Sequence, residues 1–183
     1  MKTKIQKMCI TAVLLALATV LSLLKPFSLP LGGSVTLLSM LPIVMIPLMY
    51  GTRHGLVSGF VYSIIQLSLD IVSISGWGLS IWTLMGTILL DYLLAFTLLG
   101  FAGVFKHKGF IGICFGVVQV LILRFLMHFI SGVVIFGSIV RTDAWIYSLT
   151  YNASYMVPEF ITTTIAAAIL FKVPAINRLI ATK

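Results

Sequence analysis

Only four carboxylates occur in the chain, and two of them, Asp91 and Glu159, lie inside long apolar runs. The richest polar stretch is Trp145-Ile-Tyr-Ser-Leu-Thr-Tyr-Asn-Ala-Ser-Tyr-Met-Val-Pro-Glu159, which opens a run that stays apolar to Phe171. On a helix, spacings of three, four and seven place Trp145, Ser148, Asn152 and Glu159 near one stripe, so one face carries most of the hydrogen-bonding capacity. An ionisable Glu about fifteen residues into an apolar helix is costly, and such residues usually face a water-filled cavity or a partner. The stripe therefore reads as one wall of a binding pocket.

Asp91-Tyr92 and the pair Arg124 and His128 pose the same question in two other apolar runs. Carboxylates among aromatic rings suit a cation or an amino-substituted planar ring, through charge-assisted hydrogen bonds and cation–π contact. The bland alternative is that Arg124 pairs with Asp91 or Glu159 and locks the bundle, with His128 a satisfied core donor. Enzymatic chemistry has little support: there is no His-Glu-x-x-His, no Gly-x-Ser-x-Gly, and no Gly-x-x-x-x-Gly-Lys-[Ser/Thr] to hold ATP phosphates. Cys9 and Cys114 have no metal-like spacing, so neither a metal nor a cofactor is expected.

The elements that must position these groups are membrane helices. With 60% hydrophobic residues, 9% charged residues and a mean hydropathy of +1.17, the chain cannot cover a soluble globule with polar surface. At roughly 20 apolar residues per span there is room for about six helices and one domain, 1–183. The expected spans are Met8–Leu24, Ser34–Tyr50, Leu56–Ser73, Trp82–Val104, Phe110–Phe136 and a sixth from about Trp145 to Phe171. Pro42 and Pro47 predict that the second is kinked or partly unwound.

The net charge of +8 is spread singly between apolar runs, which argues for a topology signal and against nucleic acid. Lys2, Lys4, Lys7, Arg53, Lys106, Lys108, Lys172, Arg178 and Lys183 share one side of the six-helix arrangement, against Lys25 and Arg141 on the other. By the positive-inside rule both termini are cytoplasmic in a multi-pass cell-membrane protein. Asp91, His128 and Asn152 then converge in the outer half of the bundle, ringed by Tyr92, Trp82, Trp145, Tyr147, Tyr151 and Phe136. On the first helix Ala12, Ala16, Ala18 and Thr19 make a small-residue face that permits close approach of another helix, either within the bundle or from a separate subunit.

Four stretches carry a family resemblance: Gly32 to Ile43, Leu89 to Phe105, Arg124 to Gly132, and Trp145 to Glu159. Together they resemble the thiamine-specific substrate-binding (S) components of energy-coupling factor transporters, the ThiT/YuaJ family. The resemblance implies an all-α, six-helix membrane protein that holds thiamine near the extracellular side and docks on a transmembrane coupling subunit bearing two ATPases. It assigns the ligand site to Asp91, Tyr92, His128, Gly132, Tyr147 and Asn152, and the coupling-subunit contact to Ala12 and Ala16. Phe136, Trp145 and Glu159 complete the expected lining. Asp91 stands where Glu also occurs in the family, and Phe136 where a stacking Trp is expected, so a related vitamin or precursor remains an alternative ligand. A stand-alone, proton-coupled thiamine carrier is the alternative mode of action.

Overall fold

The structure is a computed structural model and describes residues 3–138 and 143–181. Lys2, Arg141 and Lys183, which entered the orientation argument, lie outside the described residues. Helix α1 (Lys4–Leu23) starts earlier than hydropathy alone suggests because Thr3 caps it. The Thr3 hydroxyl accepts from the Gln6 N–H at 3.2 Å while the Gln6 side chain accepts from the Thr3 N–H at 3.1 Å.

The second span is half a helix. Helix α2 (Met40–Tyr50) has eleven residues, about 16 Å at 1.5 Å per residue and so about half of a bilayer core. Residues 24–39 supply the other half without helix: strand β1 (Phe27–Ser28), a 3₁₀ turn (Pro30–Gly32) and strand β2 (Ser34–Val35), paired antiparallel. Pro26, Pro30 and the Gly32-Gly33 pair break any helix here. Non-helical backbone at membrane depth persists only where protein or a cavity lines it.

Gly51, at φ 90°, reverses the chain into helix α3 (Thr52–Ser75). Helix α4 (81–103) is composite: α-helical over Ile81–Thr87, π-helical over Ile88–Leu94, α-helical over Ala95–Thr97 and 3₁₀ over Leu98–Gly103. After a turn at Lys106–Lys108 come helices α5 (Gly109–Val134), α6 (Ala144–Leu170) and a short amphipathic α7 (Pro174–Ala181). The Asp143 side chain caps α6 by accepting from the N–H groups of Trp145 and Ile146 at 2.9 and 3.1 Å.

Helices α1, α3 and α6 are long and apolar enough to cross a membrane, and the apolar stretch Ile81–Val134 folds back on itself to supply two more spans. With α2 and the non-helical segment before it the expected six are complete. Close approach holds α4 between its neighbours: a Cβ on Gly100 would lie 2.3 Å from the Leu56 nitrogen of α3, and one on Gly116 of α5 would lie 2.2 Å from the Ala102 carbonyl. Outward side chains such as Val72, Ile111 and Trp82 form a lipid-facing apolar belt. Ala12 and Ala16 lie on the exposed face of α1, while Ala18 is fully buried in the bundle.

Candidate functional site

The π-helical turn of α4 falls on the two residues that matter most, Asp91 and Tyr92; such widened turns concentrate at functional sites. Asp91 faces α5. Its Oδ1 accepts from His128 Nδ1 at 2.8 Å and its Oδ2 from the Ser131 hydroxyl. With Nδ1 donating to Asp91, Nε2 is the ring atom left to meet a ligand. That atom has no protein partner among the described residues. Tyr92 faces α3, where its hydroxyl donates to Asp70 Oδ2 at 3.1 Å, and Lys25 Nζ lies 3.9 Å from Asp70 Oδ1.

Asn152 is a positioning hub. Its Nδ2 donates to the Ser148 carbonyl at 2.9 Å, the Ser148 hydroxyl at 3.1 Å and the His128 carbonyl at 3.3 Å, and its Oδ1 accepts from Tyr155 at 2.8 Å. The Ser148 hydroxyl in turn donates to the Phe129 carbonyl at 2.7 Å. Gly132 makes this seam possible, since a Cβ there would sit 2.2 Å from Ser148 Oγ.

These groups border an open-mouthed cavity whose lining combines aromatic rings with a few convergent polar groups, as small-molecule sites do. Tyr147 stacks on Tyr151 at 5.6 Å, Tyr151 meets Tyr155 edge-on at 5.8 Å, and Trp77 meets Phe136 edge-on at 6.0 Å. The fourth side is the non-helical segment, through Leu31, Gly32, Gly33, Ser34, Thr36 and Ser39. Aromatic walls, the Asp91 carboxylate and an imidazole nitrogen without a protein partner among the described residues suit a planar cation carrying N–H donors.

The thiamine transporter protein family (Thia_YuaJ) matches this sequence over residues 8–177. The chain belongs to that family. Thiamine transporter ThiT of Bacillus subtilis (strain 168) is 35% identical over 176 residues, covering 87% of each chain. A solved structure of ThiT from Listeria monocytogenes superposes with a TM-score of 0.75 over 98% of this chain and 99% of that one. At 18% identity it shows the shared fold. The protein is thus a helical multi-pass membrane protein of the thiamine transporter family.

Within this family member, Asp91, Tyr92, His128, Gly132, Phe136, Tyr147 and Asn152 all line the cavity. Trp145 and Glu159 do not. Trp145, 63% exposed, packs on Phe129 at 5.7 Å outside the cavity. The stripe Trp145, Ser148, Asn152 faces α5, and the pocket face lies about a quarter turn away on Tyr147, Tyr151 and Tyr155, spaced by four. Tyr155 is the member of that row absent from the expected ring, and the spacing of four from Tyr147 and Tyr151 is the signal that points to it. Trp82, expected in the ring, points outward at 78% exposure. Glu159 lies beneath the cavity, 2% exposed, and pairs with Arg124 at 2.8 Å, so of the two partners considered for Arg124 the structure brings it to Glu159. Asp70, Trp77, Ser131 and the 24–39 segment were not assigned to the site, because nothing in their local sequence shows which way tertiary packing turns them.

Proposed function

We propose that the chain is the thiamine-binding subunit of an energy-coupling factor importer, which captures the vitamin in the cavity between α3, α4, α5, α6 and the 24–39 segment. The observation that carries this is charge balance around Asp91. Arg124 pairs with Glu159 and Lys25 with Asp70, which leaves Asp91, held by His128 and Ser131, as the cavity carboxylate with no Lys or Arg partner among the described residues. A carboxylate set among aromatic rings suits a ligand with a permanent positive charge, such as the thiazolium of thiamine. The aminopyrimidine supplies an N–H donor for Asp91 and another for His128 Nε2, while Tyr147, Tyr151 and Phe136 offer π faces to the rings.

The protein captures and does not react. Binding needs neither cofactor nor metal, and energy comes from partner ATPases, because the chain carries no phosphate-binding loop. The exposed Ala12-x-x-x-Ala16 face of α1 is the surface for the coupling subunit, close approach being what small residues allow. With both termini cytoplasmic, the cavity opens to the extracellular side. Titration calorimetry with thiamine on the purified protein, paired with uptake in cells with and without the coupling subunits, tests the proposal. Saturable binding with uptake only alongside the ATPase module is expected. Uptake without that module would establish the stand-alone carrier instead.

A further inference from the structure

Glu159 touches no part of the cavity, yet it holds one wall of it. Its Oε2 accepts from Arg124, and its Oε1 accepts from the Thr36 N–H at 3.2 Å and from the Thr36 hydroxyl. With the Thr36 proton committed to Glu159, the Ser39 hydroxyl, 2.6 Å away, donates to Thr36 Oγ1. One carboxylate thereby joins α5, α6 and the non-helical segment. Tyr151 of α6 makes a second tether, donating to the Pro30 carbonyl and accepting from the Gly33 N–H at 3.0 Å. The wall residues 31–36 lie between the two tethers. Leu31 and Leu38, within or just beyond the tethered stretch, sit at φ 63° and 60°, backbone that leucine rarely adopts. The shape of this segment is therefore imposed by its anchors and not by its own preferences.

We propose that the Arg124–Glu159 pair is a positioning element for ligand retention: it holds the 24–39 segment across the cavity through Thr36, and loosening it lets bound ligand leave faster. The inference rests on the thiamine-binding reading of the cavity. Arg124, whose guanidinium lies 4.9 Å over the Phe96 ring, keeps the Glu159 carboxylate turned so that Oε1 meets both Thr36 donors.

The test uses Thr36→Val, which keeps the side-chain shape and leaves no buried ion unpaired, with Glu159→Gln as a second variant. Thiamine association and dissociation rates are measured by stopped-flow fluorescence, and amide hydrogen exchange is followed across residues 30–39 and across α5 and α6. Dissociation from Thr36→Val is expected to rise about tenfold, the equivalent of ~1.4 kcal/mol, with association unchanged. Exchange should quicken at 30–39 and stay slow in the two helices. A folded Thr36→Val protein with an unaltered dissociation rate overturns the proposal, as does a lowered Tm in both variants with no change in exchange at 30–39. If the unaltered protein binds no thiamine, the reading of the cavity fails while the exchange comparison still decides the tether.

Discussion

Replacing Asp91 by Asn removes the charge of the cavity carboxylate that has no Lys or Arg partner among the described residues, while keeping the side chain's size. In the structure the carboxylate accepts from two donors, His128 Nδ1 at 2.8 Å and the Ser131 hydroxyl. An Asn can accept from only one of them with its oxygen and turns an N–H₂ toward the other. With its oxygen toward His128 and its N–H₂ toward the Ser131 hydroxyl, both contacts survive as weaker neutral hydrogen bonds, and the negative charge is what is lost. A hydrogen bond to a charged group contributes about 1.5–3 kcal/mol, which corresponds to a loss of affinity of about 10- to 150-fold at 1.4 kcal/mol per decade. The loss is expected to be smaller for a neutral analogue that lacks the thiazolium charge, because Asp91 contributes less to it. Titration calorimetry of wild type and variant against thiamine and such an analogue measures both quantities, with a melting curve to confirm folding. Equal thiamine affinity in a folded Asp91→Asn protein would refute the charge argument outright.

Three further outcomes follow from the geometry. Gly132→Ala places a methyl group 2.2 Å from Ser148 Oγ, and forcing α5 and α6 apart should cost about 1–3 kcal/mol in thermal unfolding and lower thiamine affinity through displaced Asn152 and His128. Arg124→Met leaves Glu159 buried without its ion partner and should destabilise by about 3–5 kcal/mol, whereas Arg124→Met/Glu159→Met should recover most of that loss in the same denaturation assay. Ala12→Leu/Ala16→Leu should preserve binding by the purified protein and abolish uptake in cells that carry the ATPase module; normal uptake would remove the docking role from α1.

Membrane class, helix count and the main polar actors were legible in the sequence because each depends on composition or on a single run. Sparse charge forces a membrane environment, apolar runs of about 20 residues set the spans, and ionisable residues within those runs mark function. Asp91, Tyr92 and His128 stand out on those grounds and indeed line the cavity. Breakers in 26–33 announced an interruption, but not that the whole N-terminal half of the second span would be non-helical. Rotation about each helix axis is what only the tertiary structure decided. Trp145 and Asn152 share a stripe by spacing, yet the close Gly132–Ser148 seam commits that stripe to α5 and turns Tyr147, Tyr151 and Tyr155 to the cavity. The partner of Arg124 is likewise a long-range matter, since Asp91 and Glu159 were equivalent by sequence and the packing of α5 on α6 brought Glu159 to 2.8 Å. Periodicity tells which residues share a face; which neighbour that face meets depends on contacts between segments far apart in the chain, and no local pattern encodes it.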